Sequence, residues 1–175
     1  TPANPEANWA TKLEGRLING HTIRRAFDGY PADLPGFREG AWWVQDAAAA
    51  FPVTLFGDLA GKTVIDLCAA PGGKTAQLIA AGAQVTAVDS ASKRLKTLRG
   101  NLSRLGMKAQ CVTADGRSFA PAEKVDAVLI DAPCSATGTL RRRPDILRGR
   151  KPDEIAALAT LQTSLLRQAA EWLKP

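Results

Sequence analysis

From Lys62 onward, the apolar positions fall into short runs separated by longer amphipathic stretches. Thr63–Leu67, Gln84–Val88, Gln110–Thr113 and Asp126–Ile130 are four such runs, and their length and bounding turn residues predict buried strands. Between them, Lys74–Ala83 predicts a helix closed by Gly82. Ala91–Leu105 puts Leu95, Leu98, Leu102 and Leu105 on one helical face, with Gly106 as its stop. Pro152–Leu173 reads as a long helix opening on a proline and two acids, residues that a helix N-terminus accepts. Short apolar strands alternating with helices predict an α/β domain whose mostly parallel sheet is covered on both faces.

The first forty residues have a different texture. Pro2, Pro5, Pro31 and Pro35 interrupt them, and Ile18-Asn19-Gly20-His21 suggests a tight turn between Lys12–Ile18 and Thr22–Phe27. Arg38–Val44 reads as a short strand carrying Trp42 and Trp43, and Gln45–Leu55 as a helix despite Pro52. The two tryptophans could offer a stacking surface to a base, but neighbours on a strand face opposite ways, so at least one should be core. Residues 1–37 are therefore expected to be the tail of an N-terminal element, and residues 38–175 the core domain.

Composition narrows the class. With 175 residues, 45% hydrophobic and 23% charged, the chain can bury a real core. No stretch approaches the ~18 apolar residues of a membrane span, and Thr1–Asn8 has no signal-peptide pattern. Cys68, Cys111 and Cys134 lie far apart without a CxxC pair, which argues against a disulfide scaffold or a zinc site and suits a reducing cytoplasm. His21, the single histidine, has no ligand partner nearby in sequence and is read as structural or exposed.

Charge adds more. The net is +6, yet Ser90–Lys108 holds six bases and no acid, and Arg141–Lys151 holds six bases against Asp145 alone. The remaining residues are net negative. Positive charge segregated on an acidic body suits a polyanion partner, although a solvated helix face and a basic loop would look the same.

Each strand ends in or just before an acid: Asp66, Asp89, Asp115 and Asp131. Open α/β sheets bind ligands beyond the carboxyl ends of their strands, so four acids at that edge form a constellation. The loop after the first strand, Cys68-Ala69-Ala70-Pro71-Gly72-Gly73-Lys74, is built of small residues that allow close backbone approach to a ligand, ahead of a helix N-terminus. Asp89 follows Asp66 by 23 residues, near the offset at which an acid meets a ribose hydroxyl pair. These features specify a nucleoside-containing ligand. A P-loop nucleotide hydrolase competes, because Gly73-Lys74-Thr75 and Val128-Leu129-Ile130-Asp131 approach its motifs; Cys68 at the first glycine position and Pro71 within the loop count against it.

DLCAAPGGKT together with LIDAPCSATGTLRRRPD resembles the S-adenosylmethionine-dependent RNA (cytosine-5) methyltransferases, most closely the bacterial Sun (RsmB) type that modifies 16S ribosomal RNA. The resemblance extends from about Gly40, through GAWWVQDAAAAF, to Pro175. It implies a Rossmann-like class I methyltransferase domain. By the same resemblance, Cys68, Ala69, Ala70, Pro71, Gly72, Gly73 and Lys74 line the methionine and ribose of S-adenosyl-L-methionine. Asp89 takes the ribose hydroxyls, Asp115 lies at the adenine, and Asp131 stands at the methyl-donor end beside the target base. Arg141, Arg142 and Arg143 match a segment near the RNA backbone. No metal or membrane is implied, and the oligomeric state is left open.

The chemistry agrees with these roles. C5 of cytosine is a poor nucleophile until a thiolate adds at C6, an acid near N3 stabilises the adduct, and a base removes the C5 proton so that the thiolate can leave. Asp131 suits the N3 position and Lys74 points toward the same cleft. On the residues alone Cys134 would be the nucleophile. The family instead places the attacking cysteine in a later Thr-Cys motif and gives the Pro-Cys cysteine a part in product release. No Thr-Cys pair occurs in these 175 residues. Cys111 is expected in the core and Cys68 as a small loop residue. This fold class ordinarily continues with three more strands, so the sequence is expected to be a catalytic-core fragment, inactive by itself. A silent RNA- and cofactor-binding module and the nucleotide hydrolase remain as alternatives.

Overall fold

A computed structural model of the chain describes residues 8–18, 22–140, 144–146 and 152–175. Four parallel strands form its centre: β3 (Thr63–Leu67), β4 (Gln84–Asp89), β5 (Gln110–Thr113) and β6 (Ala127–Ile130), in the order β5-β4-β3-β6. The chain runs outward from β3 to β5, then returns to the other side of β3 to form β6. This reversal creates a switch point between β3 and β6, above which a crevice opens at the carboxyl edge.

Alternation along the strands decides which helix covers which face. Val64 and Leu129 pack with Leu78 of α3 (Gly73–Ala80). Ala87 packs with Leu95, Leu98 and Leu102 of α4 (Ser92–Arg104), all three of which are buried. Ile65, Leu67 and Val88 point the other way, onto Leu165, Ala169 and Trp172 in and just after α5 (Pro152–Ala170). Three short aliphatic strands thus separate two apolar layers, as the periodicity predicts. Leu105, the fourth predicted stripe residue, is only partly buried because α4 has ended one residue earlier.

β6 lies at the free edge of the four-stranded sheet, but its start is tied down. Asp126 accepts 2.8 Å hydrogen bonds from both the backbone N–H and the hydroxyl of Thr63. Val125 donates to Trp172 O and accepts from Lys174 N–H, each at 2.9 Å, so the segment after α5 lies parallel along that edge.

The N-terminal region departs from expectation in two places. Trp9–Lys12 is a short helix, α1, so the hairpin is smaller than predicted: β1 (Arg16–Ile18) pairs antiparallel with β2 (Thr22–Arg24). The turn at Asn19, Gly20 and His21 lies outside the described residues. Arg38–Val44 is a turn through Gly40 followed by irregular chain, with a single bridge position at Trp42, rather than a strand. Gly36 and Gly40 sit at positive φ, which breaks the extended path, and a Cβ on Gly40 would fall 2.0 Å from Arg104 O. Both tryptophans are consequently core residues. Trp42 donates its indole N–H to Pro35 O and Trp43 donates to Gln45 Oε1, each at 2.8 Å, so neither is an open stacking surface. Helix α2 (Ala47–Thr54) is capped by Asp46, whose Oδ1 accepts from Ala48 N–H.

Candidate active site

The glycine loop leaves β3 with Cys68 at φ +63° and turns at Gly72, φ +104°, into α3. A Cβ on Gly72 would lie 2.9 Å from Leu98 Cγ, so α4 can press against the loop only because this residue is glycine. Three of the loop's backbone donors are used within the protein, two of them by β4. Ala69 N–H donates to Val88 O, Ala70 N–H to Asp89 Oδ2 and Gly72 N–H to Ala69 O, while Pro71 has no N–H. Such a loop presents a shaped edge. With Pro71 inside it and Ala69, Ala70 and Gly72 N–H already engaged, the loop departs from a P-loop, whose successive loop amides cradle phosphates.

Two cavities flank it. The larger, about 370 Å³, is walled by Ala69–Lys74, Asp66, Asp131 and, from the N-terminal arm, Phe37, Trp43 and Gln45. The smaller, about 190 Å³, is lined by Cys68, Asp89, Ser90, Asp115, Arg117 and Pro133. The predicted acids are therefore divided between two compartments that share the loop.

At the larger cavity, Lys74 Nζ reaches Asp131 Oδ2 at 2.7 Å, bridging the glycine loop and the segment after β6 across the switch point. The lysine is largely buried and the aspartate half-exposed. Behind them lies Asp66, fully buried on the α3 face of β3. Thr75 Oγ1 donates to its Oδ2 at 2.5 Å, and its Oδ1 has no hydrogen-bond partner among the described residues. Burial pushes the Asp66 carboxyl up to about 7, against the pull of the Thr75 hydrogen bond.

At the smaller cavity, Asp89 is buried but well supplied with donors. Its Oδ1 accepts from Ala91 N–H and pairs with Arg94 Nη2, both at 2.9 Å, whereas Oδ2 has only the long 3.3 Å contact to Ala70 N–H. Oδ2 is thus the oxygen with acceptor capacity left for a hydroxyl pair. Asp115 is held from below by Arg117, whose Nε and Nη2 chelate both carboxylate oxygens. Those hydrogen bonds hold the Asp115 carboxyl down at about 2. Neither arginine was singled out as a partner by sequence reasoning. The signal available was their spacing, since Arg117 follows its acid by two residues and Arg94 by five.

The cysteines separate by environment. Burial, reinforced by the Asp89 charge, pushes the Cys68 thiol up to about 11, which makes it a poor nucleophile and leaves it as a small loop residue. Cys111 is partly buried against the α4 side of the sheet. Cys134 is exposed on the loop after β6, where Gln162 of α5 anchors the neighbouring Pro133 carbonyl at 2.7 Å. Arg141, Arg142 and Arg143 lie outside the described residues. Among the described residues no His/Cys/Asp/Glu cluster could hold a metal, and no helix is long and apolar enough to cross a membrane.

The family model for 16S rRNA methyltransferase RsmB/F matches residues 54–175, spanning both the glycine loop and the Asp131–Cys134 segment. The chain belongs to the RsmB/F family. Its relatives include the ribosomal RNA small subunit methyltransferase B of Vibrio cholerae, 48% identical over 81% of this chain and 34% of the relative. The corresponding protein of Klebsiella pneumoniae is 48% identical over 95% of this chain and 42% of the relative. These 175 residues thus span well under half of such relatives. Among solved structures, a Pyrococcus horikoshii NSun6 crystallised with SFG, the S-adenosylmethionine analogue sinefungin, superposes with a TM-score of 0.74. It is 29% identical, with 83% of this chain and 38% of that one covered. A methyltransferase homologue from the same organism gives 0.72 at 31% identity, covering 87% of this chain and 49% of that one. The fold is that of the S-adenosylmethionine-dependent, Rossmann-like methyltransferases. Family membership removes the nucleotide-hydrolase alternative, in agreement with the engaged amides of Ala69, Ala70 and Gly72.

Proposed function

We propose that these residues form the cofactor-binding core of an enzyme that methylates C5 of a cytosine in 16S ribosomal RNA. The observation that carries this reading is the 2.7 Å Lys74–Asp131 pair, which brings the two family motifs to one point above the switch between β3 and β6. The cavity residues fit S-adenosyl-L-methionine: a close-approach loop turning at Gly72, an Asp89 oxygen with acceptor capacity, and Asp115 on the same wall. When bound, that cofactor supplies an electrophilic methyl group on a sulfonium.

The protein's own groups would do the rest. Asp131, oriented by Lys74, serves the N3 side of the cytosine once a thiolate has added at C6, and so stabilises the enamine whose C5 accepts the methyl group. A base then takes the C5 proton and the thiolate departs. Cys134, exposed three residues beyond Asp131, is assigned to product release; the attacking thiolate belongs to a Thr-Cys motif that these 175 residues do not contain. Arg141–Arg143 are assigned to the RNA backbone, residues 38–175 to the methyltransferase core and residues 1–37 to the tail of an N-terminal element. Three free thiols and a ribosomal substrate suit a reducing cytoplasm.

The test is tritium transfer from labelled S-adenosylmethionine to 16S ribosomal RNA, followed by nucleoside mass spectrometry. The longer protein should yield 5-methylcytidine, whereas the 175-residue chain should bind the cofactor without turnover. Label on another base, or robust turnover by the short chain, would overturn the assignment. In the longer protein, Cys134→Ala should accumulate a covalent protein–RNA adduct on a denaturing gel.

A further inference from the structure

The six bases between Ser90 and Lys108 do not share one environment. Arg94 is consumed by Asp89, and Arg104 turns inward to donate to Phe37 O at 2.6 Å and Trp42 O at 3.1 Å. Arg99 lies over the edge strand β5, where Nη2 donates to Cys111 O at 3.1 Å while the residue stays exposed. Lys93, Lys96 and Lys108 are exposed, and no acid pairs with any of them among the described residues.

These charges do nothing for the helix that carries most of them. The first turn of α4 contains no acid, and the one carboxylate at its start, Asp89, is taken up by Ala91 N–H and Arg94, which leaves Lys93 and Lys96 without a partner there. Lys93, Lys96 and Arg99 follow one another at spacings of three, where like charges on a helix repel. A solvated face selected only for solubility would carry compensating acids at such spacings, and this one has none. Asp89 offsets Arg94 and the Cys111 carbonyl takes one donor of Arg99, so Lys93, Lys96 and Lys108 are the charges that an external anion would relieve.

We infer that the exposed face of α4, continued by Lys108, is a docking surface for the phosphate backbone of RNA, additional to the Arg141–Arg143 segment. The inference rests on the proposed RNA substrate. Charge complementarity selects the occupant, because a nucleic-acid backbone offers closely spaced phosphates to a stripe of bases. The placement is also suitable: Arg94, in the first turn, is bonded to Asp89 in the wall of the smaller cavity, so the stripe starts beside the cofactor site. RNA whose target base enters the crevice would be held some distance from the reacting carbon.

The experiment compares the salt dependence of binding of a fluorescein-labelled single-stranded oligocytidine RNA to three forms of the 175-residue chain. These are the unsubstituted chain, the Lys93→Ala/Lys96→Ala/Lys108→Ala variant, and an Arg16→Ala/Lys62→Ala/Lys124→Ala variant that removes equal charge from exposed positions elsewhere. The α4 variant should lose about 2 from the log–log slope, roughly 0.7 for each phosphate contact, while the control keeps the parental slope. Equal losses in both would mean a net-charge effect and overturn the inference. An unchanged slope in the α4 variant would overturn it while leaving the RNA reading intact, whereas no binding by the unsubstituted chain would overturn both. Independently of folding in the variants, amine labelling of the unsubstituted chain should show RNA protecting Lys93, Lys96 and Lys108 several-fold more than Lys62 and Lys124. Uniform labelling would also refute the surface.

Discussion

The two sides of the glycine loop use the same residue type to opposite ends. On the α3 side, Asp66 is sealed from water with one donor for two oxygens, and its carboxyl titrates near 7. On the β5 side, Asp115 has a guanidinium across both oxygens and titrates near 2. Both lie at or just past a strand's carboxyl end. Position at the sheet edge therefore gathers acids around a ligand site, but donor supply and burial decide what each acid can do there. The α3 side concentrates unbalanced or shared charge, Asp66 behind Lys74–Asp131. The β5 side holds acids whose charge is neutralised by surface arginines and which are suited to accepting hydrogen bonds from a neutral ligand group.

If that division is right, the largest effect should come from the Lys74–Asp131 pair. Asp131→Ala in the longer protein is expected to lower the methyl-transfer rate by about 10²- to 10⁴-fold, the range for loss of a general acid–base group. Single-turnover kinetics on ribosomal RNA would measure it. A smaller loss than that caused by Asp115→Ala would reverse the assignment of chemistry to the α3 side.

Next in size should be the pH response of stability. The folded pKa of Asp66 stands above its unfolded value of 3.8, so the folded state holds this proton more tightly. That contribution is fully present below about 4, declines as pH rises toward 7 and changes little beyond. Asp66→Asn keeps the shape and removes the proton, so its stability should decline less than the parent's from pH 4 to 7. Parallel urea midpoints for the two proteins across that range would show that Asp66 is ionised after all.

A smaller loss is expected on the β5 side. Asp89→Ala removes the acceptor for the ribose hydroxyls and should weaken S-adenosylmethionine binding by about 1–3 kcal/mol in calorimetry. Undiminished affinity would move the ribose away from the smaller cavity. Smallest of all, Arg117→Ala should leave folding stability almost unchanged, because its ion pair with Asp115 is solvated. A much larger cost in thermal denaturation would make the two sides alike.

The sequence carried the layering well, for a physical reason. Thr63–Leu67 and Gln110–Thr113 are strands over the predicted spans, and the Leu95, Leu98 and Leu102 stripe is buried as its spacing requires. These are local regularities that a single face of packing enforces. Helix ends shifted where a glycine or a turn intervened: α3 stops at Ala80 and Gly82 takes positive φ. Arg38–Val44 failed as a strand because its path is fixed by contacts with α4, more than sixty residues away. The same limit applied at the site. That Asp66, Asp89, Asp115 and Asp131 gather at one edge was legible, because strand ends converge. The raised pKa of Asp66, the chelation of Asp115 and the division of the acids between two cavities depend on neighbours that no local pattern announces.

Arg104 has one more consequence. Its guanidinium is spent on the main-chain carbonyls of Phe37 and Trp42, with the Phe37 ring 3.9 Å away, while Gly40 rests on the backbone at Arg104 itself. The arm that walls the larger cavity is thus gripped mainly by its shape and little by its chemical identity. Across a lineage, Val44, an exposed residue of the cavity wall that none of these contacts involves, is free to drift, retuning what the cavity admits without loosening the wall. Arg104 is not free in this way: its Nη1 alone donates to both carbonyls while the guanidinium plane covers the Phe37 ring, and a lysine in its place has no planar face to stack there.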